Sequence, residues 1–313
     1  HIVLQPVEDV PREGYDLICI GTPPDSHLAL ALSALEEKPR GLLVEKPLCT
    51  PDLTGAQALF ERAAETGCPV FVGYDHVVSK ATLLMEGILR SGELGTIETL
   101  DVEFREHWGG IFAAHPWLDG PGDTYLGYWR RGGGATGEHS HAANLWQHLA
   151  HVVGAGKVAE VTATVDYVRD GHIEYDRLAL LNLRCRSGLT GRVVQDVVTR
   201  PARKWARIQG ERGYAEWYCG YRPGEDAVLW QAGRGEPRTE VVRKTRPDDF
   251  IMELKHIQAV LEAETRDTPL GLEKGLDTML VIAAAHRSSQ SGCTVRIDDA
   301  EGYRESALKR LNP

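Results

Sequence analysis

The first 75 or so residues alternate between short apolar runs and segments whose apolar positions fall three and four residues apart. Short apolar runs bounded by turn residues are typical of buried strands, and spacings of three and four are typical of a helix face. The alternation therefore predicts parallel strands joined by right-handed helical crossovers. The predicted elements are strand 16–21, a helix over 27–37 capped by Asp25 or Ser26, strand 41–45, helix 51–66 and strand 69–73.

After about residue 95 the pattern changes to an alternation of single apolar and polar positions, which predicts half-buried antiparallel strands. These segments are 96–104, 158–168, 177–184, 191–198, 205–209 and 214–218, and helical spacing returns at about 248–264 and 272–289. We therefore predict an α/β plus α+β protein with two domains. Residues 1–77 form a domain with a parallel sheet, and residues 78–313 form one with a large, mainly antiparallel sheet and helices on one face.

Composition narrows the class of protein. The 313 residues are enough for two domains with cores of their own. The formal net charge of −10 argues against general binding to nucleic acids or anionic membranes. No apolar run approaches the roughly 20 residues that cross a bilayer, and the first residues do not resemble a signal peptide. The six cysteines are scattered without a Cys-x-x-Cys pair, which favours reduced cysteines in a cytoplasmic protein.

One tripeptide stands at the end of the second predicted strand. Glu45, Lys46 and Pro47 follow the apolar run 41–44, and open α/β sheets bind ligands at the carboxyl ends of their strands. Pro47 favours an extended backbone at Lys46, so the lysine side chain is directed from the strand end instead of entering a helix. Lys46 is therefore a candidate acid/base, and the alternative is a surface ion pair at the strand end.

A second group of candidate residues follows three consecutive glycines, 132–134. Such a run lets the backbone approach a ligand closely or adopt positive φ values. The next segment is predicted to be a helix that places His141, Asn144, His148 and His151 on one face. His148 and His151 are interpreted as core or interface histidines. We predict no metal site, because no cysteine or carboxylate stands at a supporting spacing from these histidines.

Taken in order, these motifs resemble the glucose–fructose oxidoreductase/inositol dehydrogenase/MocA (Gfo/Idh/MocA) family. The order is a strand, Thr-Pro-Pro-x-x-His (22–27), a helix, a strand, Glu-Lys-Pro (45–47), and then an antiparallel domain with the glycine run, His141 and a long final helix. The resemblance covers nearly the whole chain. It implies a Rossmann-type domain, NAD or NADP as cofactor, and hydride transfer at a hydroxyl-bearing carbon of a sugar, cyclitol or sugar derivative.

The resemblance also implies roles for particular residues. Lys46 is expected beside the nicotinamide and the substrate carbon, and His141 is expected to be the acid/base. His139 competes for that role, because the interval from the glycines to His141 is one residue shorter than usual. The residues expected to line the cofactor pocket are Thr22, Pro23, Pro24, His27, Glu45 and Lys46. Substrate binding is assigned to Asn144, His139 and Tyr74 by the resemblance, and to Trp129 and Arg130 by the flat face and hydrogen bonds that they offer a sugar.

In the implied reaction, His141 takes the hydroxyl proton as the hydride leaves. Lys46 hydrogen-bonds the same oxygen and stabilises its negative charge. Burial beside the positively charged nicotinamide is expected to lower the pKa of Lys46 far enough for proton transfer.

Two departures from the family pattern affect this interpretation. The glycine-rich loop G-x-G-x-x-G is not in this sequence, and strand 16–21 corresponds to the family's fourth strand. Roughly 50–60 residues before it are therefore expected to be omitted from the sequence. Glu138 and Ser140 replace the more common aspartate and glycine. Two alternatives stay open: an NAD-dependent glycosidase on the same scaffold, and a non-catalytic sugar-binding protein that lacks the nucleotide half. The antiparallel sheet is expected to pair with a second copy, giving a homodimer or homotetramer.

Overall fold

A three-stranded parallel sheet forms the N-terminal part of the protein. The computed structural model describes residues 11–113, 116–245, 247–263, 265 and 267–311. The sheet order is β1-β2-β3, which confirms the predicted alternation of strands and helices. Its elements are β1 (Leu17–Ile20), α1 (Pro24–Leu35), β2 (Gly41–Val44), α2 (Ala56–Thr66), β3 (Val70–Val72) and α3 (Lys80–Ser91). All four residues of β2 are buried, as its apolar sequence predicts.

The start of α1 differs from the prediction. The helix begins at Pro24 with Pro23 as its N-cap, so Asp25 and Ser26 lie in the first turn instead of capping it. Proline suits this position because the first helical N–H has no intrahelical partner in any case.

The start of α2 also differs, since the helix begins at Ala56 rather than at residue 51. Leu53 and Gly55 have positive φ values of 60° and 85°, and a right-handed helix cannot pass through that conformation. The predicted end is confirmed: Gly67 follows the helix in the left-handed conformation that glycine adopts without strain.

The second sheet has ten strands in the order β11-β10-β9-β8-β4-β7-β6-β5-β12-β13. Neighbouring strands are antiparallel except β4 and β7, which are parallel because β4 is inserted between the consecutive strands β7 and β8. This confirms the predicted fold class of a large, mainly antiparallel sheet. The strands are β4 (Ile97–Arg105), β5 (Val158–Asp170), β6 (Ile173–Cys185), β7 (Thr190–Asp196), β8 (Arg203–Gly210), β9 (Gly213–Arg222), β10 (Glu225–Ala232), β11 (Arg238–Arg243), β12 (Val295–Ile297) and β13 (Leu308–Arg310).

Two long helices pack on this sheet. The remaining helices are α4 (Trp108–Ala113), α5 (Gly134–Glu138), α6 (Ser140–Val152), α7 (Asp248–Glu262) and α8 (Leu272–Ser291). The Trp146 indole of α6 donates to the Leu100 carbonyl of β4 at 2.7 Å. On α8, Ser288 Oγ accepts a hydrogen bond from the Ala163 backbone of β5 at 2.9 Å. The first of these contacts holds α6, which carries His141, against the sheet, and the second holds α8 there.

The two sheets share one hydrophobic core, which includes Leu42 and Val44 of β2, Trp146 of α6 and Val281 of α8. A Cβ at Gly275 would lie 2.5 Å from a methyl carbon of Val72, so this glycine lets α8 approach β3 closely. The domain boundary at residue 77 and pairing through the large sheet stay predictions. Among the described residues, no helix is both long and apolar enough to cross a membrane.

Candidate active site

Lys46 lies just beyond the carboxyl end of β2 and reaches across to the end of α5. Its Nζ donates to the Glu138 carbonyl oxygen at 3.0 Å and to Glu138 Oε2 at 3.3 Å. Both side chains are mostly buried, with 18% and 21% of their surfaces exposed. The Lys46–Pro47 peptide bond is cis. The ion pair therefore joins the parallel sheet to the segment that carries His139 and His141.

Glu138 decides the charge of Lys46. Burial alone lowers the pKa of a lysine, but the Glu138 carboxylate, with contributions from Tyr125 and Glu45, outweighs it and raises the pKa of Lys46 above its ordinary value. Burial likewise raises the pKa of Glu138, but the charge of Lys46 and its hydrogen bond to the carboxylate hold that pKa below its usual range. Lys46 is therefore protonated, and the expected lowering of its pKa is not what the structure shows.

Glu45 lies beside Lys46 and across the end of β3. Its Oε2 accepts a hydrogen bond from the Lys46 backbone N–H at 3.2 Å. A Cβ at Gly73 would lie 2.9 Å from this Oε2, so the glycine leaves room for the carboxylate. Burial raises the pKa of Glu45 although the Lys46 charge opposes it. The sheet edge thus presents a carboxylate acceptor next to an ammonium donor.

His27 holds two loops of this edge together. It is fully buried, and its Nδ1 lies 3.0 Å from the Pro47 carbonyl oxygen while its Nε2 lies 2.6 Å from the Thr22 carbonyl oxygen. Thr22 and Pro23 are exposed, whereas Pro24 is buried. His27 therefore positions the loop before α1 against Pro47. Its direct contact with a cofactor stays a prediction, as do those of Thr22, Pro23 and Pro24.

His141 lies in the first turn of α6, against the 3-10 turn Asp75–Val78 that follows β3. Its Nδ1 is 3.8 Å from Asp75 Oδ1, and its ring centroid is 4.6 Å from that of His76. Tyr74 packs edge-on against it at a centroid distance of 5.5 Å. The Nδ1 atoms of His76 and His141 are buried without a hydrogen-bond partner among the described residues. An unpaired buried polar atom costs about 1–3 kcal/mol, so a ligand that binds here restores lost interactions.

Burial keeps the histidines of this region neutral. It lowers the pKa of His141 well below its ordinary value, and the charge of Lys46 acts in the same direction. Burial also lowers the pKa of His139 to about 4 and that of His76 to about 3. A neutral imidazole can accept a proton while a protonated lysine stabilises negative charge on an oxygen.

His139 is the N-cap residue of α6 and is 3% exposed. Its backbone carbonyl accepts a hydrogen bond from Gln195 Nε2, and its own Nε2 has no partner in the part of the chain that the structure describes. His141, by contrast, meets Asp75, His76 and Tyr74. The choice of His141 over His139 as the acid/base stays a prediction.

Three residues predicted to bind substrate make their described contacts elsewhere. Asn144 is 3% exposed and donates to Thr278 Oγ1 of α8 at 3.1 Å. Trp129 stacks on His286 with centroids 4.4 Å apart, and the Arg130 guanidinium lies 4.1 Å from the Trp129 ring centroid. Substrate contacts of Asn144, Trp129 and Arg130 stay predictions.

A second cleft, of about 510 Å³, lies between α3, α6, α7 and α8. Asn144, His148 and His151 line it, whereas His141 and Lys46 do not. His148 Nε2 lies 2.8 Å from Glu86 Oε1, which agrees with its interpretation as a structural histidine. The predicted polar face of α6 is therefore divided, with only its first histidine directed to the edge that carries Lys46.

Sequence reasoning missed the residues that set the charges of the site. From the sequence, Glu138 is only a replacement for the family's aspartate and Tyr125 has no assigned role, although both raise the pKa of Lys46. Lys204 of β8, whose charge helps lower the pKa of His141 and of His139, was not singled out at all. The position of Glu138 between the glycine run and His141 is the signal that could have found it.

Comparison with known families matches both parts of the chain. Residues 3–74 match the Gfo/Idh/MocA model described as an oxidoreductase family with an NAD-binding Rossmann fold. Residues 82–216 match the model of the Gfo/Idh/MocA C-terminal domain. The chain belongs to the Gfo/Idh/MocA family. This confirms the resemblance, and with it an NAD-binding oxidoreductase with a nicotinamide dinucleotide as cofactor.

Several solved structures share the fold at low sequence identity. Aldose–aldose oxidoreductase from Caulobacter crescentus, complexed with glycerol, is 20% identical with a TM-score of 0.73, over 90% of this chain and 79% of that one. Levoglucosan dehydrogenase, in complex with NADH and levoglucosan, is 16% identical with a TM-score of 0.74, over 90% and 80%. An inositol dehydrogenase homologue from Azotobacter vinelandii, complexed with NAD+, is 16% identical with a TM-score of 0.70, over 90% and 78%. No curated protein matches the chain significantly.

The residues of this Gfo/Idh/MocA protein fit a nicotinamide cofactor at the edge beside Lys46. Thr22 offers an exposed hydroxyl, Glu45 a carboxylate and Lys46 an ammonium group, and this set matches ribose hydroxyls and a carboxamide. The unpaired Nδ1 of His141 shows that the neighbouring pocket holds polar atoms that its own side chains leave unsatisfied. Contacts of Thr22, Glu45 and Lys46 with the nicotinamide end of the cofactor stay predictions that this set of polar groups is consistent with.

Proposed function

We propose that this protein is an NAD(P)-dependent dehydrogenase or reductase that acts on a CH–OH group of a sugar, cyclitol or sugar derivative. The observation that carries the proposal is the position of Lys46, held protonated by Glu138 next to the segment that begins α6 with His141. Family membership supports the redox chemistry. Related structures described as an aldose–aldose oxidoreductase, a levoglucosan dehydrogenase and an inositol dehydrogenase homologue support the substrate class.

The bound nicotinamide supplies the hydride acceptor or donor. Lys46 orients the substrate by donating a hydrogen bond to the reacting oxygen, and its positive charge stabilises negative charge on that oxygen. His141 takes the hydroxyl proton at Nε2, because its Nδ1 is buried towards Asp75. Lys46 keeps its proton throughout, since Glu138 holds it in the charged form.

The test is an assay of the purified protein with NAD or NADP and a panel of aldoses, anhydrosugars and cyclitols. The proposal predicts that at least one of these compounds causes a steady rise in the near-ultraviolet absorbance of the reduced nicotinamide. Release of sugar from glycosides with no net change in that absorbance would instead indicate a glycosidase that uses NAD transiently. Sugar binding without thermal stabilisation by either dinucleotide would contradict the proposal and indicate a binding protein.

A further inference from the structure

Three side chains place metal-ligand atoms around one point between the turn after β3 and the start of α6. His76 Nδ1 lies 3.9 Å from Asp75 Oδ1, and His141 Nδ1 lies 3.8 Å from the same oxygen. The ligand atoms of these three residues all lie within 4.8 Å of one another. Two of them come from the turn after β3 and one from α6, so the group exists only in the folded protein. Sequence spacing therefore gave no sign of a supporting carboxylate.

These distances are too long for hydrogen bonds and close to those around a metal ion. A hydrogen bond between a ring nitrogen and a carboxylate oxygen requires about 2.7–3.2 Å. Zinc bonds of about 2.0–2.2 Å in tetrahedral geometry place neighbouring ligand atoms about 3.3–3.5 Å apart. The pairs that involve Asp75 need to close by only a few tenths of an ångström, which small side-chain rotations supply.

The unsatisfied state of the two imidazoles is the second observation. The Nδ1 atoms of His76 and His141 are buried and have no hydrogen-bond partner among the described residues. Asp75 is also buried, with 8% of its surface exposed. Two imidazole nitrogens and one carboxylate oxygen suit a divalent first-row transition ion and leave positions open for water or another ligand.

The lysines near Asp75, His76 and His141 do not prevent a cation from binding there, because each lysine is paired with another carboxylate. Lys204 Nζ lies 3.2 Å from Glu106 Oε2, and Lys244 Nζ lies 2.7 Å from Asp226 Oδ2. Lys46 is paired with Glu138. The local balance of charge therefore leaves the Asp75 carboxylate available to a cation.

We propose that Asp75, His76 and His141 form a binding site for a divalent transition-metal ion of the zinc type. A metal on His141 Nδ1 leaves the ring proton on Nε2, so the imidazole has no free lone pair to accept a proton. Metal binding and the action of His141 as a base therefore exclude one another, a consequence that rests on the proposed function. The metal is an inhibitor of the site and not a participant in hydride transfer.

The experiment is a Co2+ titration of the purified protein, followed through the visible d–d bands of the bound ion, with Zn2+ added afterwards to displace it. The proposal predicts one Co2+ per chain, displaced by Zn2+. Affinity should fall about 10-fold or more in His76→Gln and in Asp75→Asn. The matched control is His148→Gln on the same helix, whose ring faces Glu86 and whose loss should leave the titration unchanged. Circular dichroism of each variant checks that it folds.

Failure to bind Co2+, or equal binding by all four proteins, would overturn the proposal. Turnover measured in the presence and absence of Zn2+ and a chelator separates the two claims. Inhibition by Zn2+ that the chelator reverses supports both. A specific Co2+ site in a protein without dehydrogenase turnover on any substrate would leave the metal site standing and contradict the proposed function alone.

Discussion

Lys46 Nζ and Glu138 Oε2 form a 3.3 Å ion pair between the end of β2 and the end of α5. The contact has two consequences, because it fixes the position of the lysine and raises its pKa. A lysine held in this way cannot serve as a base near neutral pH. It can stabilise an oxyanion, which leaves proton transfer to a neutral neighbour such as His141.

Replacing Glu138 by glutamine removes the charge and keeps the shape. Burial of Lys46 is then opposed only by Tyr125 and Glu45, so we expect the pKa of Lys46 to fall below that of the native protein. The measurement is the rate at which an acylating reagent modifies Lys46 at about pH 8, followed by peptide mass spectrometry. Glu138→Gln should be modified faster than the native protein.

The control for this experiment is Asp16→Asn, which removes an exposed partner of Arg40 at 3.2 Å. Exposed pairs contribute little, so this change should leave the modification of Lys46 unaltered. An unchanged rate in Glu138→Gln would mean that Glu138 does not set the charge of Lys46.

The two carbonyl contacts of His27 predict that His27→Leu loosens the edge that binds the cofactor. Losing a buried hydrogen-bond partner should lower the free energy of unfolding by about 1–3 kcal/mol, as measured by urea denaturation. Because Thr22 and Pro47 are no longer held together, the Kd for the nicotinamide dinucleotide should rise. Leu30→Gln, at a position of the same helix that is 37% exposed, should change stability by less than about 0.5 kcal/mol. Unaltered stability and Kd in His27→Leu would show that the loops do not depend on this ring.

Asp176 of β6 predicts a pH dependence of stability. It is fully buried, its Oδ2 accepts from the Thr136 backbone at 2.7 Å, and burial raises its pKa to about 7. Between about pH 4 and pH 7 the folded state therefore keeps a proton that the unfolded state has lost, so stability falls as the pH rises. Across this window the loss is about 4 kcal/mol at most.

Asp176→Asn removes this titration and keeps an oxygen that can accept from Thr136. The free energy of unfolding of Asp176→Asn minus that of the native protein should therefore increase as the pH rises from about 4 to 7. The control is Asp166→Asn, a change at a half-exposed carboxylate on the neighbouring strand β5, which should alter the free energy of unfolding by less than about 1 kcal/mol. If the free-energy difference for Asp176→Asn did not change with pH, Asp176 would be ionised in the folded protein over this range.

The fold could be predicted largely from local patterns. The apolar runs of β1 to β3 are visible in the sequence because both faces of a parallel sheet are buried. The alternating positions of β4 to β9 are visible because only one face of an antiparallel sheet is buried. The start of α2 could not be found in this way, because a leucine gives no sequence signal for the positive φ that Leu53 adopts. β11 was missed because its residues are almost all exposed, so its sequence carries no buried face.

The site was predictable only in part. Lys46 could be named as a candidate from the sequence because Glu-Lys-Pro at a strand end is a local signal. Its partner Glu138 and the approach of Asp75 to His141 depend on tertiary contacts between distant segments. No sequence-spacing rule connects residues that are so far apart in the chain. The charge state of Lys46 and the grouping of Asp75 and His76 with His141 could therefore be seen only in the structure.

The central claim is that Lys46 stabilises charge on the reacting oxygen and does not merely hold the fold or the cofactor. The most direct test is the kcat of Lys46→Ala with the best substrate, together with the Kd of the variant for the nicotinamide dinucleotide and, as a control, Lys80→Ala at an exposed position. We predict that kcat falls about 100- to 1,000-fold in Lys46→Ala. The Kd should stay close to that of the native protein, and Lys80→Ala should behave like the native protein. Near-native turnover in a folded Lys46→Ala variant would contradict the account.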